Sequence, residues 1–285
     1  MSGKVDFVPG SHGSAWLEGP ATALSWLTII PIRGAEAFDR TTGARVMASL
    51  PVVGIVFGIV GSALAWLFLS LHIFPFLSAV LIISAWQLFN RFMHLDGFAD
   101  VADALGSYAP PQKARDILSD PHAGLIAIAS VVLALGVEIA AIFCLLDAAM
   151  TTRISTPTLL ISIFFIPVIS RICAMIGAHR RFYPMHTQGF GALFIGHVQT
   201  WWVALWAFLA LVLCFSLALM CAAPVMALML SVSVALVVSI IVATICAIHC
   251  FRRFRGLNGD TNGFILEMSV VSCSVVFAVL LPLLP

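Results

Sequence analysis

Residues 46–90 read VMASLPVVGIVFGIVGSALAWLFLSLHIFPFLSAVLIISAWQLFN and contain no Asp, Glu, Lys or Arg. A helix needs about 20 mainly apolar residues to cross a bilayer, since each residue adds about 1.5 Å. The run is long enough for two crossings, and we predict spans at 48–71 and 74–90 with a tight turn between them. This stretch therefore predicts an integral membrane protein built from helices.

The composition of the whole chain supports the same prediction. Of the 285 residues, 61% are hydrophobic and 9% are charged, against roughly 45–50% and 25% in soluble domains. A water-soluble fold of this length could not cover so much apolar surface with polar groups. The formal net charge of +1 and the lack of a basic tail give no indication of nucleic-acid binding.

Five further apolar stretches are long enough to span a membrane. They are predicted at 123–146, 157–177, 200–221, 224–250 and 264–283. We therefore expect an all-α, polytopic transmembrane helix bundle of about seven spans that forms one domain over residues 1–285. Residues 1–45 are expected to form a cytoplasmic or interfacial segment, in which the apolar stretch 21–31 is too short to cross.

The charges of the loops give this topology an orientation. With seven spans, every Lys and Arg except Arg153 falls on one side of the membrane, and Arg171 is counted at that boundary. Basic residues are enriched in cytoplasmic loops, so we expect a cytoplasmic N-terminus and a location in the bacterial inner membrane, in contact with its lipids. The aspartates from Asp96 to Asp120 fall on the same side. Because the charge rule makes no demand on carboxylates, their position indicates an active face on the cytoplasmic side.

The densest acidic group consists of Asp96, Asp100 and Asp103. Spacings of four and three residues place the three carboxylates on one face of a helix. Such like charges repel one another, and a bound cation would relieve that repulsion. Mg²⁺ typically takes oxygen ligands from one or two carboxylates and from substrate phosphates. The spacing therefore predicts a Mg²⁺ site with these aspartates as ligands and catalytic groups; an ordinary solvated acidic face is the alternative.

Two loops on the same side carry arginines suited to binding phosphate. These arginines are Arg180, Arg181, Arg252, Arg253 and Arg255. Residues 256–263 read GLNGDTNG, and such glycines let the backbone approach an anion closely. Within this stretch, Asp260 is a candidate metal ligand as well as a candidate substrate-binding residue. Basic anchors at a membrane boundary are the alternative explanation for both arginine clusters.

Two other acidic residues have different predicted roles. Glu138 lies inside the third predicted span, where an ionisable group is costly and indicates a function. No basic partner for it is evident in any span, so a protonated, hydrogen-bonded carboxyl and an ion carrier both fit. Asp120 and Pro121 are expected at the N-cap and the first position of that span.

Residues 92–103, FMHLDGFADVAD, resemble the signature of the cobalamin synthase family (adenosylcobinamide-GDP ribazoletransferase), which reads roughly His-x-Asp-Gly-Leu-Ala-Asp-Thr-x-Asp-Gly. Weaker similarities follow in family order at 28–32, 50–58, 117–124, 189–196 and 259–263. The resemblance implies transfer of the adenosylcobinamide phosphate moiety from adenosylcobinamide-GDP to α-ribazole or its 5′-phosphate, with release of GMP. The matching histidine assigns His94 to substrate binding. Attack on a phosphoanhydride also agrees with Mg²⁺ as the cofactor.

Two alternatives to this family remain at the level of sequence. A CDP-alcohol phosphotransferase also places Asp-Gly-x-x-Ala and further aspartates at a membrane boundary, but it requires Arg where this chain has Asp100. An ion-coupled transporter that uses Glu138 is the alternative from another class, although the internal repeat typical of transporters is not visible. The oligomeric state stays open, and a homo-oligomer is compatible with the sequence.

Overall fold

The computed structural model of the protein describes residues 7–284, and its regular elements are helices. Residues 1–6 of the predicted N-terminal segment and Pro285 lie outside the described residues. The helices are α1 (Ala15–Leu27), α2 (Arg40–Ala48), α3 (Leu50–Ser70), α4 (Pro75–Phe89), α5 (Met93–Gly106), α6 (Pro111–Leu118), α7 (Leu125–Met150), α8 (Thr156–Ala174), α9 (Phe190–Phe194), α10 (Thr200–Met220), α11 (Val225–Phe254) and α12 (Gly259–Leu280). Short 3-10 turns follow α8 and α12 at Met175–Ala178 and Leu281–Leu283.

Six of these helices are long and apolar enough to cross a membrane, namely α3, α7, α8, α10, α11 and α12. The predicted span at 74–90 corresponds to α4, which has 15 residues and is shorter than the others. Counting α4 together with α5 gives seven spanning elements. The prediction of an all-α bundle with about seven spans is therefore confirmed.

The chain turns by 92° between α4 and α5. Arg91 and Phe92 make this corner in the left-handed backbone region, with φ of 60° and 58°. A helix perpendicular to its predecessor cannot continue the same crossing, and α5 carries three aspartates. The bent pair therefore counts as one spanning element, in which α4 makes the crossing and α5 turns away at its end, at the membrane boundary.

The predicted ends of the spans agree with the structure to within four residues, except at the start of α12. This helix begins at Gly259 rather than at residue 264, because Asn258 and Thr261 form a capping box in which each side chain accepts a hydrogen bond from the other's backbone N–H. Residues 259–263, which the sequence predicts as loop, are therefore helical, and Asp260 lies in the first turn of α12.

Helix α8 occupies the centre of the bundle and is buried on nearly all sides. Helix α3 packs along it in close contact: a Cβ atom built on Gly54 would lie 2.7 Å from the Pro167 carbonyl oxygen. Small residues allow such close approach between helices in a membrane. The outer helices expose apolar side chains instead, for example Leu133 of α7 and Phe208 of α10, as expected of surfaces that face lipid.

Polar contacts hold together the parts of the N-terminal segment that lie before α1, within α1 and before α2. Helix α1 has 13 residues, so it is too short to span, in line with the predicted interfacial position of 21–31. His12 contacts the carboxylates of Glu18 and Asp39, at 3.0 Å in each case. Both acids raise the pKa of His12 through these hydrogen bonds.

The prediction that Arg171 lies at the boundary is wrong. It lies inside α8 with 4% of its surface exposed, and its guanidinium stands over the Phe57 ring at 4.4 Å. Two buried carboxyl groups, Glu138 of α7 and Glu267 of α12, lie near enough to feel its charge. Arg171 is thus a basic residue within the spans whose charge acts on Glu138, although no ion pair within 4.0 Å joins the two in residues 7–284. Sequence could not show this grouping, because the three side chains come from three different helices.

Candidate active site

The candidate site forms where α5 crosses the first turn of α12. A Cβ atom on Gly97 would lie 2.7 Å from the Asp260 Cα atom, and one on Gly263 would lie 3.0 Å from the His94 carbonyl oxygen. Neither position has room for a side chain, so the two backbones touch. This contact brings Asp260 to the helix that carries Asp96, Asp100 and Asp103.

Asp100 is the central acid of this group. Partial burial raises its pKa to about 7, and the negative charges of Asp260, Asp96 and Asp103 act in the same direction. Asp96 is exposed, whereas Asp100 and Asp260 are partly buried. The Asn258 side chain donates a hydrogen bond of 2.6 Å to Asp260, which orients that carboxylate. The predicted association of Asp260 with the α5 aspartates is thus present in the structure.

Asp103 has a different set of partners from its two neighbours on α5. Its carboxylate accepts hydrogen bonds from the backbone N–H groups of Gly124 at 2.9 Å and Ala127 at 3.3 Å. These groups belong to the N-terminus of α7, whose unpaired N–H groups and dipole favour an anion. Asp103 therefore caps a transmembrane helix from a distance in sequence, and its role as a metal ligand stays a prediction.

The prediction that Asp120 caps the third span is wrong. Helix α7 begins at Leu125 with Gly124 at the N-cap, and Asp103 supplies the capping oxygens. Asp120 instead accepts a hydrogen bond from the backbone N–H of His122 at 2.9 Å. Local spacing favoured Asp120, but the carboxylate that caps α7 belongs to Asp103 of another helix.

The loop that follows Arg181 lies against the loop that follows the arginines at 252–255. The Met185 N–H donates to the Leu257 carbonyl at 2.7 Å, and the Leu257 N–H donates to the Tyr183 carbonyl at 3.1 Å. The Tyr183 and Phe251 rings also meet edge to face, with their centroids 4.6 Å apart. The 180–181 pair and the 252–255 cluster are therefore neighbours in the fold, as a shared role in phosphate binding requires.

These five arginines have no carboxylate partner among the described residues. Arg180, Arg181, Arg252 and Arg255 are exposed, and Arg253 is partly buried. Their guanidinium groups are therefore available to an anionic ligand such as a phosphate. Their role in substrate binding stays a prediction.

Arg115 positions one of these clusters and was not identified from the sequence. Its side chain donates to the carbonyl groups of Phe254 at 2.6 Å and Arg255 at 2.7 Å, where α11 ends. The last carbonyl groups of a helix lack partners within it, so this contact fixes the end of α11. A lone arginine in a polar loop gives no sequence signal for such a role.

His94 lies at the start of α5, with its backbone against Gly263. Burial and the positive charge of Arg171 lower the pKa of the His94 imidazole to about 3. The ring is therefore neutral at physiological pH and carries one lone pair that can accept a hydrogen bond. The ring lies near enough to Arg171 for that charge to act on it, and its binding role stays a prediction.

The donor set suits Mg²⁺ only in part. Within residues 7–284, no three His, Cys, Asp or Glu side chains are placed to hold one metal ion among themselves. The carboxylates of Asp96, Asp100 and Asp260 are the hard oxygen ligands that Mg²⁺ prefers, and this ion commonly takes only one or two of them beside substrate phosphates and water. The arrangement therefore fits a Mg²⁺ ion that the substrate helps to bind.

Comparison with known proteins identifies the family. The cobalamin-5-phosphate synthase family model matches residues 19–278. This chain belongs to the cobalamin-5-phosphate synthase family. Membership makes the protein a transferase of cobalamin synthesis, in agreement with the resemblance of residues 92–103, and gives no support to the phosphotransferase and transporter alternatives.

Individual relatives agree along nearly the whole chain. The adenosylcobinamide-GDP ribazoletransferase of Corynebacterium diphtheriae is 46% identical over 285 residues, covering 98% of each chain. The protein of the same description in Corynebacterium efficiens is 44% identical over 279 residues, again covering 98% of each chain. One from Frankia casuarinae is 31% identical and covers 92% of this chain and 94% of its own. No solved structure matches this chain.

Proposed function

We propose that this protein transfers the adenosylcobinamide phosphate moiety from adenosylcobinamide-GDP to α-ribazole or its 5′-phosphate and releases GMP. The relatives named for this activity support the choice of substrates. The observation that carries the proposal is the crossing of α5 and α12, which brings Asp260 to Asp96 and Asp100. Asp260 lies in the first turn of α12, five residues after the last arginine of the 252–255 cluster. Carboxylates for a cation and a proton, and cations for phosphate, are the groups that phosphoryl transfer requires.

The chemistry divides between these residues as follows. A hydroxyl group of α-ribazole attacks the phosphorus that carries the cobinamide, and the bond from that phosphorus to the GMP oxygen breaks. Asp100 is suited to accept the hydroxyl proton, because a base is most effective when its pKa lies near the working pH, and the pKa of Asp100 is about 7. The arginines of the 180–181 and 252–255 segments hold the two phosphates and compensate the charge on the departing GMP.

Asp96 and Asp260 are the residues that would hold Mg²⁺, which leaves Asp100 free to accept the proton. When bound, Mg²⁺ would neutralise charge on the phosphate oxygens and make the phosphorus more electrophilic. Asp103 contributes to this proposal by holding α7 against α5, through its bonds to Gly124 and Ala127. The arrangement therefore separates a chemical role for the first three acids from a positioning role for the fourth.

We also propose that the site faces the cytoplasm from the bacterial inner membrane, as one domain with its N-terminus on the same side. The five candidate phosphate-binding arginines belong to this end of the bundle, whereas Arg153 lies at the opposite end, paired with Asp147. Cytoplasmic loops are enriched in Lys and Arg, which supports this orientation. Cysteine labelling from outside at residue 153, and not at residue 181, is the expected outcome in whole cells.

The experiment that tests the function supplies the purified protein with adenosylcobinamide-GDP and α-ribazole 5′-phosphate and measures GMP and the corrinoid product. We expect release of GMP that requires added Mg²⁺ and stops with a chelator. Asp100→Asn should lower the rate by about 100-fold or more, the usual effect of losing a general base. Asp147→Asn is the matched control, because it changes an aspartate at the opposite end. Absence of GMP from the wild-type protein, or full activity in Asp100→Asn, would refute the proposal.

A further inference from the structure

A cleft of about 380 Å³ opens at the start of α5. It is lined by Ser25, Trp26, Phe38, Arg91, Met93 and Phe190. Small-molecule sites commonly start at about 300 Å³ and combine apolar or aromatic walls with a few polar groups. The cleft meets both conditions, and none of its residues belongs to the acidic or basic groups described above.

Three aromatic rings form the apolar wall of this cleft. Trp26 lies 5.0 Å from Phe38 and 5.5 Å from Phe190, measured between ring centroids. The rings come from α1, from the segment before α2, and from α9, so the fold gathers them from distant parts of the sequence. The Arg91 side chain donates a hydrogen bond of 2.6 Å to the Trp26 carbonyl, which places a guanidinium at the rim.

The cleft is continuous with the acidic site at two points. Met93 precedes Asp96 by three residues on α5, so both lie on one helix face about 4.5 Å apart along the axis. On the other side, the Phe190 ring lies 3.8 Å from the Cβ position of Gly259, the residue before Asp260. A ligand in the cleft would therefore extend toward both Asp96 and Asp260.

We propose that this cleft binds the planar heterocyclic base of a nucleoside substrate by stacking on Trp26, Phe38 and Phe190. The inference rests on the proposed function, in which each of the two substrates contains such a base. Aromatic side chains stack on the faces of any nucleobase, and each stacked base strengthens binding roughly fivefold or more. With the base in the cleft, its ribose and phosphate reach the carboxylates of Asp96 and Asp260. Arg91 adds N–H donors for a base oxygen or a phosphate.

Three variants of the tryptophans of α1 distinguish stacking of a base on Trp26 from a purely structural role of that residue. Trp26→Leu removes the aromatic face, Trp26→Phe keeps one, and Trp16→Leu changes a residue of α1 that is 89% exposed and lines no part of the cleft. We expect Trp26→Leu to raise KM about tenfold for one substrate, with kcat within about twofold. Trp26→Phe should restore most of the affinity, and Trp16→Leu should match the wild type.

The substrate whose KM rises in Trp26→Leu shows which base occupies the cleft. A raised KM for adenosylcobinamide-GDP places guanine in the cleft, and a raised KM for α-ribazole places the base of the acceptor there. Unchanged KM for both substrates in Trp26→Leu would overturn the proposal. If this variant loses its thermal transition, Phe190→Leu removes another ring of the same wall and gives the same test.

Direct binding distinguishes failure of this inference from failure of the proposed function. Equilibrium binding of GMP and of α-ribazole is measured without turnover, on the wild type and on Trp26→Leu. A wild type that releases GMP while Trp26→Leu binds both ligands normally would refute the cleft and leave the function standing. A wild type that does not turn over, but binds one ligand about tenfold more tightly than Trp26→Leu, would refute the function and support the cleft. A wild type that binds neither ligand would refute the cleft.

Discussion

The aspartates of α5 carry the same chemical group but have different partners. Asp103 accepts two backbone N–H groups from the start of α7, whereas Asp100 lies among the charges of Asp96, Asp103 and Asp260. The first arrangement stabilises the fold, and the second opposes it. An acid that the fold tolerates despite repulsion is a better candidate for catalysis than one whose charge is already satisfied.

Substitution of Asp103 should therefore lower stability. In Asp103→Ala the N–H groups of Gly124 and Ala127 lose their acceptor, and loss of a helix cap typically costs about 0.5–2 kcal/mol. Thermal unfolding of the purified protein in detergent measures the effect. Asp120→Ala is the matched control, since that residue caps nothing in α7. Equal melting temperatures for the wild type and Asp103→Ala would contradict the capping role.

Substitution of Asp100 should have the opposite effect, and the effect should depend on pH. The pKa of Asp100 is raised from 3.8 to about 7 in the folded protein, so the stability it contributes is present at low pH and is lost as pH rises through 7. Asp100→Asn has no carboxyl group to ionise, so it does not lose stability in this way. We expect its melting temperature to exceed that of the wild type above pH 7 and the difference to shrink toward pH 4. A difference that grows as the pH falls would contradict this assignment.

At the scale of elements, the site depends on the backbone contact between α5 and α12. Gly97→Ala would place a Cβ atom 2.7 Å from the Asp260 Cα atom, and backbone cannot move aside as a flexible side chain can. Overpacking of this kind costs about 1–3 kcal/mol. It would also move Asp260 away from Asp96 and Asp100. We expect lower stability and a loss of activity greater than the loss of stability explains.

The control for this prediction is another glycine within a helix. Gly136 of α7 has no atom within 4 Å of its Cβ position, so Gly136→Ala should leave activity unchanged. Rates and melting temperatures of the two variants, measured in the same detergent, make the comparison. Wild-type activity in Gly97→Ala would show that the crossing does not set the geometry of the site.

At the scale of the whole molecule, a buried cluster of four polar and charged side chains connects four helices. Arg171 of α8 lies near Glu138 of α7 and Glu267 of α12, and Gln87 of α4 donates to Glu267 at 3.4 Å. No ion pair within 4.0 Å joins the arginine to either acid in the described structure. Two carboxyl groups thus share one guanidinium in the low-dielectric interior, where an unpaired charge is very costly.

This imbalance predicts unequal effects of removing the partners. Arg171→Met leaves both acids without a nearby cation and should cost about 3–5 kcal/mol, the usual cost of leaving a buried charge uncompensated. Glu138→Gln keeps a polar side chain of similar size and removes only one of the two carboxyl groups, so it should be tolerated far better. The yield of folded protein and the melting temperature measure both variants. A greater loss of stability in Glu138→Gln than in Arg171→Met would contradict this account.

The sequence by itself determined the class of the fold, the spans and the acidic helix face. Apolar length and helical periodicity are local properties, so residues 46–90 predicted their two helices to within two residues at each end, and the spacing of Asp96, Asp100 and Asp103 predicted one face of α5. The family signature lies in this same local stretch, which is why residues 92–103 indicated the family before any contact was known.

Only the tertiary structure decided which partners these residues have. It assigned the cap of α7 to Asp103 instead of Asp120, placed Arg171 among buried acids, and brought the rings of Trp26, Phe38 and Phe190 together at the start of α5. These contacts join residues far apart in the chain. Helix packing sets them through close backbone crossings such as that of Gly97 with Asp260, which leave no trace in the period or composition of either helix.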